Sequence, residues 1–212
     1  PPIKSIMVTG QEGCGKTYLL DSIQRRHLKQ VEEGGENDVR VIRPKYPVDL
    51  VGSSIGSSED RLIALFSYAY DIISSCNSID KYTKCLVMLD DIDKVLSLSD
   101  DTTNLPELAE SSTVTNSAHY FVGRRCKALF LSILDSLRDK DSTNSMNGHI
   151  LLLCTSRVRC EEIISRFDKV FVKREPDDVQ RREMILSCLA TGCNVDNDEE
   201  MLSLVVQHST GK

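Results

Sequence analysis

Short apolar runs alternate with longer segments of helical period along most of this chain. Five runs have the length and composition of β-strands, at residues 3–9, 38–42, 85–89, 149–155 and 169–172. The third run and the central part of the fourth are continuously apolar, which is typical of central strands buried on both faces. We expect both to lie beside or near the first strand. The alternation predicts an α/β fold, in which helices cover both faces of a five-stranded parallel sheet as a three-layer sandwich.

Helices are predicted between the strands, where apolar residues recur at the helical period. These segments lie at about 19–28, 57–73 and 122–137. A further helix is expected to begin at Pro176-Asp177-Asp178 and to run to about residue 190, and another to begin at Asp198.

Two segments are too polar to bury much apolar surface, so we expect loops at 97–117 and 141–148. The chain therefore divides into a core domain at 1–174, which contains both of these loops, and a separate helical element at 175–212. This second element looks cut short at Lys212.

Composition and charge restrict the classes of protein to consider. The chain has 212 residues, of which 40% are hydrophobic and 27% charged, and this suits one globular domain with a small addition. Its net charge of −6 disfavours a nucleic-acid-binding surface. Because no apolar run is long enough for a membrane span and no export signal is visible, we expect a cytoplasmic protein, either free or at an organelle surface.

The cysteines are expected to be reduced. Cys85, Cys126, Cys154 and Cys188 fall on apolar faces of predicted strands or helices, and no cysteine pair has the C-x-x-C spacing of metal ligands. The sequence therefore predicts buried thiols rather than disulfides or a zinc site.

The strongest chemical signal comes directly after the first predicted strand. Residues 10–17 read GQEGCGKT and match the phosphate-binding pattern G-x-x-x-x-G-K-[ST] between a strand and a helix. The glycines let backbone N–H groups converge on phosphate oxygens, while Lys16 is expected to reach the β- and γ-phosphates and Thr17 to ligate Mg²⁺. The predicted nucleotide-binding residues are Gly10, Gln11, Glu12, Gly13, Cys14, Gly15, Lys16, Thr17 and Tyr18. The sequence therefore predicts a site for ATP and Mg²⁺. The competing interpretation is a glycine-rich turn that binds no ligand.

Carboxylates follow the third predicted strand. The sequence LDDID at 89–93 is a Walker B pattern, in which an apolar strand delivers acidic side chains to its carboxyl end. We expect Asp90 to hold the metal, usually through water, and Asp91 to orient or activate a water molecule. An aspartate pair that merely ends the strand at a turn is the competing interpretation.

Taken together, these motifs resemble the AAA branch of the AAA+ ATPases over nearly the whole chain. The matching segments, in the family's order, are Pro1-Pro2, Gly56-Ser57-Ser58-Glu59 with Leu65-Phe66 and Ala69, 86–93, 152–157, Arg166-Phe167-Asp168, Pro176, 182–186 and Ser209-Thr210-Gly211. The resemblance implies a P-loop NTPase core followed by the start of a small helical lid. It also implies homo- or hetero-hexameric rings with other AAA subunits, ATP at the subunit interfaces, and a protein substrate or adaptor.

The chain departs from the family's pattern at positions that matter for hydrolysis. Asp91 replaces the usual glutamate, Ser156 replaces the usual asparagine of the sensor position, and Ile163 replaces the first of two arginines offered to a neighbour's γ-phosphate. Arg166 matches the second arginine, and Ser54 replaces the pore-loop aromatic residue. These departures resemble the less active modules of two-module members, such as the second domain of the N-ethylmaleimide-sensitive factor or the first domain of the peroxisome-biogenesis AAA subunit. Such modules are thought to bind ATP chiefly to hold the ring together.

The resemblance assigns catalytic roles to Lys16, Asp91, Ser156 and Arg166, and metal binding to Thr17 and Asp90. Competing interpretations remain for two of them. Arg166 could instead pair with Asp168 or Glu162, and Ser156 could cap a short helix at the end of its strand.

Three functions follow from these alternatives. The first is an ATP hydrolase of reduced activity that supports a protein-remodelling ring, and the second is a nucleotide-binding structural module without significant hydrolysis. The third, a nucleic-acid motor or clamp loader, is disfavoured by the acidic balance and by the lack of basic or aromatic clusters.

Overall fold

The computed structural model of the protein describes residues 3–33, 39–52, 54, 56–75, 83–96, 114–139 and 148–190. Five strands are present: β1 (Ser5–Thr9), β2 (Val39–Ile42), β3 (Thr83–Leu89), β4 (Gly148–Ser156) and β5 (Lys169–Val172). The helices are α1 (Lys16–Glu32), α2 (Ser57–Ser75), α3 (Ile92–Val95), α4 (Val114–Asp139), α5 (Glu161–Ile164) and α6 (Asp178–Ala190), with a 3-10 turn at Pro47–Leu50.

The strands form one five-stranded sheet in the order β2-β3-β4-β1-β5, and every neighbouring pair is parallel. This confirms the predicted α/β fold with a five-stranded parallel sheet. Of the two continuously apolar strands, β4 lies directly beside β1, whereas β3 is one strand farther away.

Apolar clusters lie on both faces of the sheet. One joins Val87 and Leu152 to Leu62 of α2 and Phe130 of α4. The other joins Val8, Met88 and Leu153 to Leu20 of α1. Successive residues of β3 and β4 alternate between the two clusters because side chains point to opposite faces of a strand. The continuous apolar pattern of these strands is therefore explained by burial on both sides.

One predicted loop is shorter than expected. Helix α4 begins at Val114, so the last four residues of the loop predicted at 97–117 are helical; residues 97–113 lie outside the described part of the chain. The helix is held to the core by its apolar face around Phe130. It can extend toward its amino end through polar residues, because each added residue gains one backbone hydrogen bond. The helix expected at Asp198 also lies outside the described residues, and the division at 174/175 stays a prediction.

Free thiols are found at Cys14, Cys85, Cys126, Cys154 and Cys160. Burial is the main cause that raises the pKa of Cys85 and of Cys126 to about 11, and it raises that of Cys154 well above the ordinary value. These three thiols are buried as expected and stay protonated at neutral pH, whereas the side chain of Cys188 lies outside the described part of the structure. Among the described residues, no helix combines the length and apolar character needed to cross a bilayer.

Asp168 joins the beginnings of β1 and β5. Its Oδ2 accepts hydrogen bonds from the backbone N–H groups of Lys4 and Ser5, at 2.8 and 2.9 Å, and from the Ser5 hydroxyl at 3.1 Å. Partial burial acts to raise the pKa of Asp168, but these hydrogen bonds outweigh it and leave the pKa below its ordinary value. The matched Arg-Phe-Asp segment therefore includes a residue that stabilises the fold.

Replacing this carboxylate should destabilise the protein in a pH-dependent way. We expect Asp168→Ala to lower the free energy of unfolding by about 1–3 kcal/mol at pH 7, because two backbone N–H groups lose a charged acceptor. A carboxylate whose folded pKa is depressed stabilises the fold above its unfolded pKa of about 3.9, and this contribution is lost as the pH falls through the folded value. Urea unfolding at pH 7 and at about pH 3 should show the difference between parent and variant shrinking in acid. Asp71→Ala, at an exposed site of α2, serves as the control and should have little effect at either pH.

Candidate functional site

All five strands end at the same edge of the sheet, and the residues that follow them carry the site. The first residues after β1, β2, β3, β4 and β5 are Gly10, Arg43, Asp90, Arg157 and Lys173, respectively. Three of these five are cations, and the parallel arrangement brings them to the edge where α/β proteins bind their ligands. A glycine, one carboxylate and three positive charges at one edge suit a phosphate-bearing ligand.

The loop after β1 has a backbone that only glycine accommodates well. Gly13 and Gly15 have φ of 80° and 84°, in the left-handed region, and Gly15 directly precedes α1. Gly10 is restricted by space instead, since a Cβ there would lie 2.4 Å from the carbonyl oxygen of Lys173. The loop therefore brings backbone N–H groups to the amino end of α1, where anions are favoured.

Two ammonium groups lie against this loop. Lys16 is buried, and its Nζ donates hydrogen bonds of 2.7 Å to the carbonyl oxygens of both Gly10 and Gln11. Lys173 Nζ donates to the carbonyl oxygen of Gly15 at 2.9 Å. Both charges are held by neutral carbonyls, which makes the loop electrostatically ready for phosphate. Lys173 was not identified from the sequence, although its position directly after a strand was a usable signal.

The remaining predicted loop residues differ in exposure. Gln11, Glu12, Thr17 and Tyr18 are exposed, and the Tyr18 ring lies 5.4 Å from the guanidinium carbon of Arg25. Cys14 is buried, with its sulfur 3.9 Å from Lys16 Nζ. The exposed hydroxyl of Thr17 is therefore accessible to a ligand at the loop.

A cavity of about 490 Å³ opens beside the loop, in the size range of small-molecule sites. Its lining comes from the loop, from the segment after β5 and from α6: Cys14, Lys173, Arg174, Pro176, Gln180, Glu183 and Met184. The cavity joins the phosphate loop to a partly apolar wall, which is what a nucleoside attached to the phosphates requires.

Asp90 is held from two sides. Its Oδ1 accepts a hydrogen bond of 2.5 Å from the Thr155 hydroxyl, and its Oδ2 lies 3.6 Å from Nη2 of Arg43. The hydroxyl oxygen of Thr155 in turn accepts the backbone N–H of Asp91 at 2.8 Å. Thr155 and Arg43 are thus part of the site, although neither was among the residues selected from the sequence.

Ser156 lies next to Thr155 but makes different contacts. It is buried, and its hydroxyl donates to the carbonyl oxygen of Val158 at 2.7 Å. Its own carbonyl oxygen accepts the N–H of Gly10 at 3.2 Å, which joins β4 to the start of the phosphate loop. The structure therefore places Ser156 beside the loop, while the hydroxyl that contacts the Asp90 carboxylate belongs to Thr155.

Asp91 has the left-handed backbone conformation, with φ 43° and ψ 51°. Aspartate tolerates this conformation better than most residues with a side chain, because its short polar side chain can form local hydrogen bonds. Its Oδ2 accepts a hydrogen bond of 2.6 Å from Lys94 Nζ, and this contact is the main cause that raises the pKa of Lys94. The predicted water-orienting carboxylate is therefore paired with a cation within its own turn.

Asp93 and Arg157 connect three parts of the site. The fully buried Asp93 carboxylate accepts hydrogen bonds of 3.0 Å from both the backbone N–H and Nε of Arg157. Nη1 of Arg157 also lies 3.6 Å from the Glu12 carboxylate in the phosphate loop. The hydrogen bond to Asp93 is the main cause that raises the pKa of Arg157. The third carboxylate of LDDID was a signal for this pair that the sequence interpretation left without a role.

Arg166 lies away from the phosphate loop of its own chain. Its Nε is 3.2 Å from the Asp135 carboxylate, and its Nη1 donates to the carbonyl oxygen of Glu162 at 3.0 Å. Of the two pairings considered from the sequence, neither carboxylate forms an ion pair with Arg166, because Asp168 bonds to the start of β1 and the Glu162 carboxylate pairs with Lys127 at 2.6 Å. Arg166 precedes β5, whereas the phosphate loop follows β1, so the two lie at opposite edges of the parallel sheet.

The chemistry of the donors fits Mg²⁺. Hydroxyl and carboxylate oxygens, such as those of Thr17 and Asp90, are the hard ligands that this ion prefers. Within the described part of the chain, no group of three or more His, Cys, Asp or Glu side chains gathers as a metal cage. A magnesium ion would therefore take its remaining ligands from water and from a bound phosphate, which is the usual arrangement for Mg²⁺ with nucleotides.

Comparison with known proteins agrees with this geometry. The family model described as "ATPase family associated with various cellular activities (AAA)" matches residues 6–175. Among curated protein sequences, none matches the chain significantly.

Solved structures show the same fold. The chain is similar to a chain of the HORMA:CdnC:Trip13 complex of E. coli MS115-1, with 17% identity and a TM-score of 0.58 over 97% of this chain and 59% of that one. It is also similar to the FIGL-1 AAA domain in complex with ADP, with 20% identity and a TM-score of 0.55 over 99% of this chain and 56% of that one. The chain is similar to the FIGL-1 AAA domain in a separate structure as well, with 20% identity and a TM-score of 0.53 over 97% of this chain and 54% of that one. This chain thus spans between 54% and 59% of the length of the matched chains.

Proposed function

Because this chain belongs to the AAA family of ATPases, we propose that it binds Mg-ATP and couples binding or slow hydrolysis to ring assembly and remodelling of a protein partner. Family membership supports a nucleotide-binding ATPase module. The observation that carries the more specific proposal is the phosphate loop before α1, in which the ammonium of buried Lys16 is held by loop carbonyl oxygens and has no carboxylate among the contacts described for it.

Each residue would act through its own chemistry. Lys16 would donate to the terminal phosphates, and Thr17 and Asp90 would hold Mg²⁺, which neutralises phosphate charge when bound. Asp91 would orient the attacking water, and Thr155 would keep the Asp90 carboxylate in place through the hydrogen bond of 2.5 Å. The cavity beside α6 would take the nucleoside.

Two contacts favour the alternative, a nucleotide-binding structural module without significant hydrolysis. Asp91 is engaged by Lys94 at 2.6 Å, and the Ser156 hydroxyl is engaged by the carbonyl oxygen of Val158. A carboxylate oxygen that already accepts a hydrogen bond from a cation is less available to a water molecule, so turnover should be slow.

Partners and location are inferred from the family and its relatives. We propose homo- or hetero-hexamers with other AAA subunits and a protein substrate or adaptor, and the complex of a Trip13 with HORMA and CdnC supports this kind of partnership. The net charge of −6 supports a protein partner over a nucleic acid. A cytoplasmic location, free or at an organelle surface, remains part of the proposal.

Calorimetry on the chain tests the proposal directly. We expect ATP and ADP to bind with one site per chain and with micromolar affinity, while turnover stays well below the roughly 10 s⁻¹ of a median enzyme. If neither ATP nor ADP binds, the function proposed here is contradicted.

The length of the side chain at residue 91 is expected to limit hydrolysis. Asp91→Glu should raise turnover by about tenfold, because the carboxylate reaches about 1 Å farther, although glutamate in the left-handed conformation costs about 1 kcal/mol of stability. Steady-state phosphate release measures the rate. Asp91→Asn is the matched control, since it keeps the backbone preference and removes the charge, and it should lower turnover. Equal rates for all three proteins would favour the structural module.

A further inference from the structure

Arg43 places a fixed positive charge at the carboxylate that is expected to hold the metal. It is the first residue after β2, and its side chain is only 13% exposed. Nη1 donates to Oδ1 of Asp21 at 2.5 Å and to Oε1 of Gln24 at 3.1 Å, both on α1. These two contacts fix the guanidinium, so Nη2 is directed at Oδ2 of Asp90, 3.6 Å away.

Asp90 is largely buried, and each of its carboxylate oxygens faces a protein group. Its side chain is 12% exposed, one oxygen accepts from the Thr155 hydroxyl and the other faces Arg43. Because both groups of the ion pair are largely withdrawn from water, salt screens their interaction weakly. A guanidinium stays charged at every physiological pH, so the positive charge is permanent.

The second carboxylate near Arg43 does not cancel this effect. Asp21 is 45% exposed, and water therefore solvates much of its charge. Asp21 is the closer of the two carboxylates to the guanidinium, but Asp90 is the less hydrated, so water screens its interaction with Arg43 less. A divalent ion at Asp90 would have to share the carboxylate with Arg43 or displace it.

We propose that Arg43 is a built-in cation at the Asp90 carboxylate, which weakens Mg²⁺ binding there and makes the affinity for nucleotide nearly independent of the metal. This inference rests on the proposed function, because it concerns the same nucleotide site. Arg43 acts through Asp90 and α1, and is thus a positioning residue rather than a catalytic one.

The test compares nucleotide affinity with excess Mg²⁺ and with a chelator. Calorimetry with the non-hydrolysable β,γ-imido analogue of ATP is carried out on the parent chain and on Arg43→Gln, Arg43→Lys and Arg40→Gln. Arg40 is an exposed arginine on the same strand, so its variant removes the same charge away from Asp90. Thermal unfolding of each variant checks that the fold persists.

We expect the affinity of the parent for the analogue to differ by less than about threefold between Mg²⁺ and chelator. For Arg43→Gln, Mg²⁺ should raise the affinity by about tenfold or more, because a positive charge close to the metal site has been removed. Arg43→Lys and Arg40→Gln should behave as the parent does. Similar metal dependence in the parent and Arg43→Gln would overturn the inference and leave the nucleotide site intact. No binding by the parent in either condition would overturn the proposed function and this inference together.

A second measurement covers the case in which Arg43→Gln does not fold. Mn²⁺ titration of the parent, followed by electron paramagnetic resonance, compares the ion's affinity for the analogue free and bound to the protein. If Mn²⁺ binds the protein-bound analogue no more tightly than the free analogue, the result supports the role of Arg43. An affinity at least about tenfold higher on the protein would contradict it, because the site would then hold the ion in spite of the guanidinium.

Discussion

Lys16→Ala is expected to lower the affinity of the chain for ATP and ADP by at least about a hundredfold, which corresponds to roughly 3 kcal/mol. The ammonium of Lys16 is buried against the phosphate loop, where it donates to the carbonyl oxygens of Gly10 and Gln11. Both carbonyls can turn to water in the variant, so the fold should persist. Calorimetry with Mg-ATP measures the loss.

Lys29→Ala is the matched control, because Lys29 lies exposed near the carboxyl end of the same helix. It removes an equal charge and should leave the affinity within about twofold of the parent, since an exposed charge far from the ligand is screened. Equal affinities for Lys16→Ala and the parent would contradict the interpretation of residues 10–17 as a phosphate-binding loop.

Arg166→Ala is expected to abolish nucleotide-dependent assembly and to lower turnover of the assembled protein by about a thousandfold, at the low end of arginine-finger effects. Arg166 lies at the edge of the sheet opposite its own phosphate loop. In the proposed ring, Arg166 would therefore contact the γ-phosphate bound to a neighbouring subunit. Sedimentation velocity with and without Mg-ATP measures assembly, and ATP binding to isolated subunits should be unchanged.

Asp135→Ala separates this role from an internal ion pair. The Arg166–Asp135 pair is partly exposed, so its loss should cost at most about 1 kcal/mol and should leave assembly intact. Arg159→Ala removes another exposed arginine of the same region and should also have no effect. If Asp135→Ala reduces assembly as much as Arg166→Ala does, the contact within the chain is the one that matters.

The fold class could be predicted because its signals are local. Strand β5 was predicted with the observed bounds, and the other strands to within about two residues. The spacing of apolar residues and the length of each run reflect which faces of an element are buried, and both can be read from the sequence. The boundary of α4 was predicted less well, because Val114 joins the helix by elongation from a distant apolar face rather than by its own preference.

The phosphate loop could be predicted for a different reason. Its glycines and Lys16 act within one stretch of eight residues, so spacing along the chain is also spacing in the site. Asp90 was placed correctly at the end of its strand for the same reason. The catalytic assignments of Asp91, Ser156 and Arg166, by contrast, came from family resemblance and stay predictions.

The sequence by itself thus determined the five strands, the longer helices, the parallel sheet and the glycine-rich loop after β1. Only the tertiary structure decided that β4 lies between β1 and β3, which brings Thr155 to Asp90 and Arg157 to Asp93. It also placed β2 beside β3, which brings Arg43 to the same carboxylate. Strand order is set by packing among elements far apart in the chain, and no local pattern records which strand ends become neighbours. The charges that surround Asp90 therefore depend on the assembled sheet.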